Sequence, residues 1–284
     1  MKLVQKMALK YLQSKIKLVS AVSEKKAAKI AFNIFCTPFT KYTKPAPKIF
    51  ETGTPLAMPF LGETINGFKF GADGSPTILI LHGWDSCMYK FDKFVKPFTT
   101  MGLQVYMFDA MAHGTSTGKY FNVYNYAALV CEISKNYGPF NNFMAHSLGG
   151  MAAVLALANN KQWLLPSAKI VLIAPGGEAH HFFNEFYRLL KLTPNLQIAM
   201  QKQAESLGRQ NIAWYSTKRH IVNISNPILW LHDHDDMACP IKYANEVYQI
   251  QLPNILFEFS KGLGHSIIYR DAKTKQKIFN FIAL

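Results

Sequence analysis

The chain has 284 residues, 49% of them hydrophobic and 17% charged, which is enough apolar material for a sizeable core and excludes global disorder. At roughly 100–200 residues per domain, the length predicts one large domain or two small ones. The formal charge of +14 is unevenly spread: residues 1–50 carry eleven lysines against one acid, Glu24, so the basicity belongs to the N-terminus rather than the body and reads either as a solubilising exposed helix face or as a surface for an anionic partner.

Residues 3–19 have helical spacing. Leu3, Val4, Met7, Ala8, Tyr11, Leu12, Ile16 and Val19 fall on one stripe, with Lys2, Lys6, Lys10 and Lys17 largely off it. Ser23 is placed to cap a second helix holding Ala27, Ala28, Ile30, Ala31, Ile34 and Phe35, which Thr37-Pro38 ends. With the proline-rich connector to Pro47, residues 1–47 are expected to form a basic helical arm, ahead of a single domain over residues 48–284. Lysines interrupt every apolar run in the arm, so neither a secretory signal nor a transmembrane span is expected. The arm has two readings. Its stripe packs on the body, or it makes peripheral contact with anionic lipid. Cys36, Cys87, Cys131 and Cys239 are scattered without a CxxC pair, which favours a reducing compartment. The expected location is therefore cytoplasmic, with the inner membrane surface as the site of any peripheral contact.

Beyond the arm, short apolar runs alternate with amphipathic segments. The runs are Thr77–Leu81, Gln104–Asp109, Asn142–His146, Ile170–Ala174, Ile228–His232 and Ile255–Phe259. Helices are expected near 88–101, 122–137, 148–159, 242–251 and 273–283. Such alternation implies βαβ units and a mostly parallel sheet flanked by helices. Asn66–Gly71 reads as an earlier antiparallel strand. Residues 176–226 lack a strand pattern but hold two helical stretches, an insertion expected over the strand ends where open parallel sheets bind ligands.

The chemistry concentrates at strand ends. Ala145-His146-Ser147-Leu148-Gly149 follows a strand and opens a helix; small residues around the serine permit a sharp turn that lifts its Oγ above the sheet. His82-Gly83-Trp84 ends another strand, where the Trp84 N–H would join that of Leu148 as donors to a developing oxyanion. His232-Asp233-His234-Asp235-Asp236 offers three competing acids shortly before Pro240, and Lys261-Gly-Leu-Gly-His265 follows the last strand. The order Ser, Asp, His suits a nucleophile, an orienting acid and a base.

From about Asn66 to the C-terminus the sequence resembles the α/β-hydrolase fold superfamily. Its late acid often reads His-Gly-x-x-Asp-x-x-Val-Pro, and laying this on His232–Pro240 selects Asp236, with Asp233 standing where glycine is usual. Asp109–Ser116 resembles the superfamily's Asp-x-Pro-Gly-His-Gly-x-Ser turn, with Met111 and Ala112 in place of Pro and Gly; Asp109 is expected to be structural. The arm is similar to one bacterial subgroup, through Ala27-Ala-Lys-Ile-Ala-Phe-Asn-Ile-Phe35. The resemblance implies a serine hydrolase acting on a carboxylic ester or thioester, without metal or other cofactor. Ser147 would be the nucleophile, His265 the base, Asp236 its acid, and Trp84 and Leu148 the oxyanion donors. An acyltransferase using the same residues, and a non-catalytic membrane-associated binding protein, are the alternatives.

His82, Phe182, Phe183 and Phe186 are candidate substrate contacts, the phenylalanines lying in the expected helical cap. His180 and His181 are weaker ones. Cys87 is a weaker nucleophile candidate. His232-x-His234-x-Asp236 also fits part of a metal-binding pattern, but too few histidines follow for a second cluster. The expected partner is a small-molecule or lipid-like ester, not nucleic acid. The oligomeric state is not legible.

Overall fold

The computed structural model describes residues 3–40, 42 and 44–283, apart from the side chains of residues 3–5. The chain folds as two compact units. One holds Pro38–Gly177 and Ser216–Leu284; the other holds the chain up to Thr37 together with Glu178–Tyr215. The strands are β1 Thr54–Phe60, β2 Glu63–Phe70, β3 Thr77–Leu81, β4 Gln104–Phe108, β5 Phe140–His146, β6 Leu164–Ile173, β7 Ile228–Asp233 and β8 Ile255–Ser260. The helices are α1 Leu3–Val22, α2 Glu24–Phe35, α3 Asp92–Thr100, α4 Val123–Tyr137, α5 Leu148–Asn159, α6 Ala179–Leu190, α7 Pro194–Gly208, α8 Thr217–Ile221, α9 Ile241–Tyr248, α10 Gly264–Ile267 and α11 Ala272–Ala283.

The larger unit is built on one eight-stranded sheet in the order β1-β2-β4-β3-β5-β6-β7-β8. β2 pairs antiparallel with β1 and β4, and every later pairing is parallel. The parallel strands read as continuous apolar runs because both of their faces are covered. Leu79, Leu81, Phe143, Leu172 and Trp230 point to one core with Leu129 and Ile133 of α4 and Ala152 and Ala156 of α5. Their neighbours Ile78, Ile80, Met144, Val171 and Leu229 point to the other, with Phe94 and Phe98 of α3 and Ile278 of α11. α5 is buried from Gly149 to Ala158, so it is apolar on all sides rather than striped. β1 has no counterpart among the expected strands. Pro55 and Pro59 break its pattern, and an edge position tolerates them because half of its N–H groups face no neighbour.

The smaller unit joins α1 and α2 to α6 and α7. Ser23 caps α2, its side chain accepting from the Lys26 N–H. α2 buries Ala27, Ala28 and Ala31, small residues that permit close approach, and packs along α7. At its end the Phe35 ring lies 4.5 Å from Phe183 and 5.2 Å from Phe186. α1 packs on α2 and α6, and the Gln13 side-chain amide donates to the Leu189 carbonyl at 2.8 Å. Ile16, Leu12 and Val19 of the α1 stripe are thus buried or half-buried on the side facing α2 and α6, while Met7 and Tyr11 of the same stripe stay exposed. The connector after Thr37 belongs to the larger unit, because Phe39 and Thr40 N–H groups donate to Asp85 Oδ1 at 2.8 and 3.2 Å. Among the described residues no helix is long and apolar enough to cross a membrane.

Candidate active site

β5 lies near the middle of the sheet, between β3 and β6, and ends in a turn at Ser147. Ser147 has φ 56° and ψ −123°, a conformation that costs a non-glycine residue about 1–3 kcal/mol and persists only when its surroundings enforce it. They do so here. The Ser147 N–H donates to the Ile173 carbonyl at 3.0 Å, and its own carbonyl accepts from Gly176 N at 3.0 Å. Close packing explains the glycines: a Cβ on Gly149 would lie 2.5 Å from the His82 carbonyl oxygen, and one on Gly150 2.8 Å from Pro175 Cβ. Ser147 therefore stands at the start of α5, whose first N–H groups have no intrahelical acceptor.

His265 lies in the first turn of α10, which follows β8, and Asp236 lies on the loop after β7. Side-chain hydrogen bonds link them to the serine. His265 Nε2 is 2.9 Å from Ser147 Oγ, and His265 Nδ1 is 2.7 Å from Asp236 Oδ2. The second carboxylate oxygen of Asp236 accepts from the N–H groups of Ala238 and Cys239 at 2.9 and 2.8 Å. Burial pushes the Asp236 carboxyl up, but the His265 hydrogen bond and the Cys239 N–H outweigh it and hold it below the usual carboxylate range. With its carboxylate ionised, Asp236 accepts from Nδ1–H and leaves Nε2 free to accept from the serine hydroxyl.

Of the three competing acids, Asp236 alone meets the histidine ring. Asp233 holds the histidine's loop instead: its carboxylate accepts from Ser260 Oγ at 2.6 Å, Gly264 N at 2.9 Å, Leu263 N at 3.1 Å and Asp235 N at 2.9 Å. Burial raises its pKa, yet these four donors bring it down to about 2. Asp235 accepts from Gly262 N at 3.0 Å. Nothing in the sequence pattern assigned Asp233 this task, since its donors lie on a distant segment.

The end of β3 meets the serine from the other side. A Cβ on Gly83 would lie 2.7 Å from Ser147 Cβ and 3.2 Å from its Oγ, so only glycine fits. Trp84 follows directly, its indole packed against the rings of His113 and Phe121. His82 is buried and braces this turn. Its Nε2 accepts from the Ala110 N–H at 2.9 Å, so Nδ1–H donates to the Gly83 carbonyl at 2.7 Å. Burial lowers its pKa to about 4, leaving it neutral. His82 is thus engaged with backbone on both ring nitrogens. Asp109 is fully buried, accepting from Met88 N, Thr115 N and Thr115 Oγ1. The turn after it keeps a left-handed residue at Ala112, φ 64°.

Two further side chains reach the site: His146, expected to pack or hydrogen-bond within the elbow, and Cys239, which nothing in the sequence marked. His146 donates from Nε2 to the His265 carbonyl at 3.0 Å, tying the histidine loop to the elbow. Cys239 has its Sγ 3.9 Å from Ser147 Oγ, and its carbonyl accepts from His232 Nε2 at 2.7 Å. The His232 Nδ1 faces the Trp230 indole N–H at 3.3 Å, so both ring nitrogens serve the loop. Among the described residues no group of His, Cys, Asp and Glu is clustered to hold a metal ion. Burial and the Asp109 charge push the Cys87 thiol up to about 11, which keeps it protonated. In the smaller unit, Phe183 and Phe186 are buried beside Phe35, while Phe182 is half-buried beside His181. This gives Phe183 and Phe186 a packing role within that unit.

An antiparallel entry into a parallel sheet, with serine after β5, acid after β7 and histidine after β8, places the protein in the α/β-hydrolase fold. More narrowly, the chain belongs to the serine aminopeptidase S33 family (Hydrolase_4), whose model matches residues 73–220. It is similar to Protein ABHD12B of Homo sapiens, 28% identical over 190 residues that cover 63% of this chain and 50% of that protein. The chain thus spans about half the length of this relative. An esterase of Pyrococcus furiosus has a similar structure, with TM-score 0.65 at 18% identity over 87% of this chain and 97% of the other. So does a bacterial membrane phospholipase A, with TM-score 0.61 at 14% identity over 99% and 98%. A monoacylglycerol lipase of Paleococcus ferrophilus gives TM-score 0.57 at 17% identity over 77% and 96%. At these identities the likeness is one of fold.

Proposed function

We propose that this hydrolase cleaves a carboxylic ester or thioester through an acyl-enzyme on Ser147. The observation that carries this reading is His265, bridging Ser147 Oγ at 2.9 Å and Asp236 Oδ2 at 2.7 Å. Ser147 Oγ attacks the carbonyl carbon while His265 Nε2 takes its proton. Asp236 holds the tautomer that makes Nε2 the base and stabilises the imidazolium that forms. The carbonyl oxygen gains charge and settles between the N–H groups of Trp84 and Leu148, a contribution worth ~10²–10³ in kcat per donor. His265 then gives the proton to the leaving alcohol or thiol, and water attacks the acyl-enzyme by the same path in reverse.

The esterase and lipase likenesses support an ester, small or lipid-like, as the substrate. The family's description supports a second reading, release of an amino-terminal residue by the same nucleophile. Fluorophosphonate labelling, read by intact mass on wild type and Ser147→Ala, tests the nucleophile. One adduct on wild type and none on the variant is expected; no adduct on wild type overturns the reading. Hydrolysis of a p-nitrophenyl ester series against aminoacyl p-nitroanilides then separates the two substrates, with the esters expected to turn over faster. Adding alcohol acceptors and analysing products distinguishes hydrolysis from acyl transfer.

A further inference from the structure

α1 is apolar on two faces, and the fold uses one. Leu9, Leu12, Ile16 and Val19 lie on the side that packs on α2 and α6; Ile16 is fully buried and the other three are half-buried. At about 100° per residue, Met7, Tyr11, Leu18 and Val22 fall within roughly 60° of one another on the opposite face. They remain 64, 64, 72 and 87% exposed. Ser14, exposed and small, lies beside Met7 and Leu18 on this face and adds no bulk there.

Charge borders this seam. Lys6, Lys10 and Lys17 follow one edge and Lys15 the other, all exposed. The helix carries no Asp or Glu at all, and Glu24 is the one acid before residue 51. These facts choose between occupants. A second copy of α1 would set one lysine border against another with no acid to answer it, a like-charge arrangement that destabilises pairing. A surface that is apolar within and anionic at its rim matches both features. Spanning is excluded for this helix by its lysines, but lying flat is not: the exposed seam runs for about 22 Å at 1.5 Å per residue.

We propose that the outer face of α1 docks on an anionic lipid membrane, with Met7, Tyr11, Leu18 and Val22 entering the acyl boundary and the lysines meeting headgroup phosphates. The docking does not depend on Ser147, so it stands or falls separately from the hydrolytic reading.

The test is vesicle co-sedimentation of the full chain with equimolar phosphatidylglycerol and phosphatidylcholine, against phosphatidylcholine alone. Two variants are compared with wild type. One replaces Met7, Tyr11, Leu18 and Val22 with Gln, keeping every charge; the other replaces Lys10, Lys15 and Lys17 with Gln, keeping the seam. All seven side chains are exposed, so thermal melting is expected to be unchanged. Wild type is expected to partition at least tenfold more strongly into anionic than neutral vesicles. Each variant is expected to lose at least tenfold, and wild-type binding should weaken from 0.1 to 0.5 M salt, as about 8–10 Å Debye screening shortens. Absence of wild-type binding overturns the proposal. So does undiminished binding of the seam variant, which would reduce the effect to nonspecific charge. A seam variant that changes the sedimentation-velocity mass in lipid-free buffer yet still binds vesicles overturns it in favour of a second copy. Fluorophosphonate labelling of Ser147 in both variants should match wild type, and failure of labelling in all three would count against the hydrolytic reading alone.

Discussion

Asp233 and Asp236, three residues apart on the turn after β7, grip the same histidine from two sides. Asp236 holds the His265 imidazole at 2.7 Å, while Asp233 holds the backbone just before it through Leu263 and Gly264 at 3.1 and 2.9 Å. One sets the tautomer of the ring and the other sets where the ring stands. Removing either should therefore damage catalysis in different ways.

Asp236→Asn keeps the size of the side chain but replaces an acceptor by an amide whose NH₂ can donate. His265 would turn to the tautomer with hydrogen on Nε2, which cannot take the serine proton. The expected loss in kcat/KM is about 10³–10⁴-fold at neutral pH, with KM little changed. Steady-state ester hydrolysis measures it; a loss under tenfold would remove Asp236 from the assigned role.

Asp233→Ala leaves the Leu263 and Gly264 N–H groups and the Ser260 hydroxyl without their acceptor. These donors are only partly buried, so the cost is expected at the low end of the about 1–3 kcal/mol for an unsatisfied group, and the histidine loop is expected to loosen. Activity should fall roughly 10–100-fold, mostly in kcat, because a small displacement of a catalytic group is costly. The sign of the pH effect follows from a folded pKa of about 2 against an ordinary value of 3.8. The folded state binds fewer protons there, so the carboxylate's contribution is complete above about pH 4 and fades as pH falls towards 2. Urea unfolding of wild type and variant should differ at pH 6 by an amount that shrinks once pH falls below about 4; a gap that stays constant down to the lowest pH at which the chain is folded would contradict this account.

Gly83→Ala tests the approach of the β3 turn to Ser147. The new methyl would sit 2.7 Å from Ser147 Cβ, so either the turn retreats, carrying the Trp84 N–H with it, or the serine shifts from His265. Loss of one donor predicts a ~10²–10³-fold fall in kcat. Fluorophosphonate labelling should slow in parallel, while near-UV circular dichroism stays native.

The parallel sheet was legible because its strands are buried on both faces and so read as unbroken apolar runs between glycine-rich turns. Ser147, Asp236 and His265 were legible because each follows a strand in a recognisable local setting. Asp233 was not, for it looked like a misplaced glycine, and its purpose appears only when residues 260–264 fold back to meet it. The pairing of the arm with the insertion was illegible for a similar reason. The stripe of α1 showed that something would cover it, but Phe35 meeting Phe183 depends on segments far apart in the chain. The stripe also looked single on a linear reading, and the structure divides it, burying Ile16 and leaving Met7 and Tyr11 exposed.

Three buried histidines around the site make stability pH-dependent well above the carboxylate range. Burial lowers His82 and His113 to about 4, and burial with the neighbouring His265 lowers His146 to about 3. Each is neutral when folded, and its ring nitrogens show why. His82 Nε2 and His113 Nε2 accept from the N–H groups of Ala110 and Asp85, positions that a proton would destroy, and His146 Nδ1 is buried with no partner for a proton to meet. In the unfolded chain all three protonate near pH 6.5. Between about 6.5 and 4 the unfolded state therefore binds more protons than the folded one, and stability must fall as pH falls. With up to three protons involved, the slope from these groups approaches roughly 4 kcal/mol per pH unit near pH 5. Urea unfolding from pH 7.5 to 4.5 should show stability nearly flat above 7 and dropping steeply below 6. His113→Gln should lessen that slope by about one proton, roughly 1.4 kcal/mol per pH unit, even if it lowers stability at pH 7.5. A profile that stays flat down to pH 4.5 would mean that these rings take up protons in the folded state, and the hydrogen-bond assignments at the β3 turn and the elbow would have to be reversed.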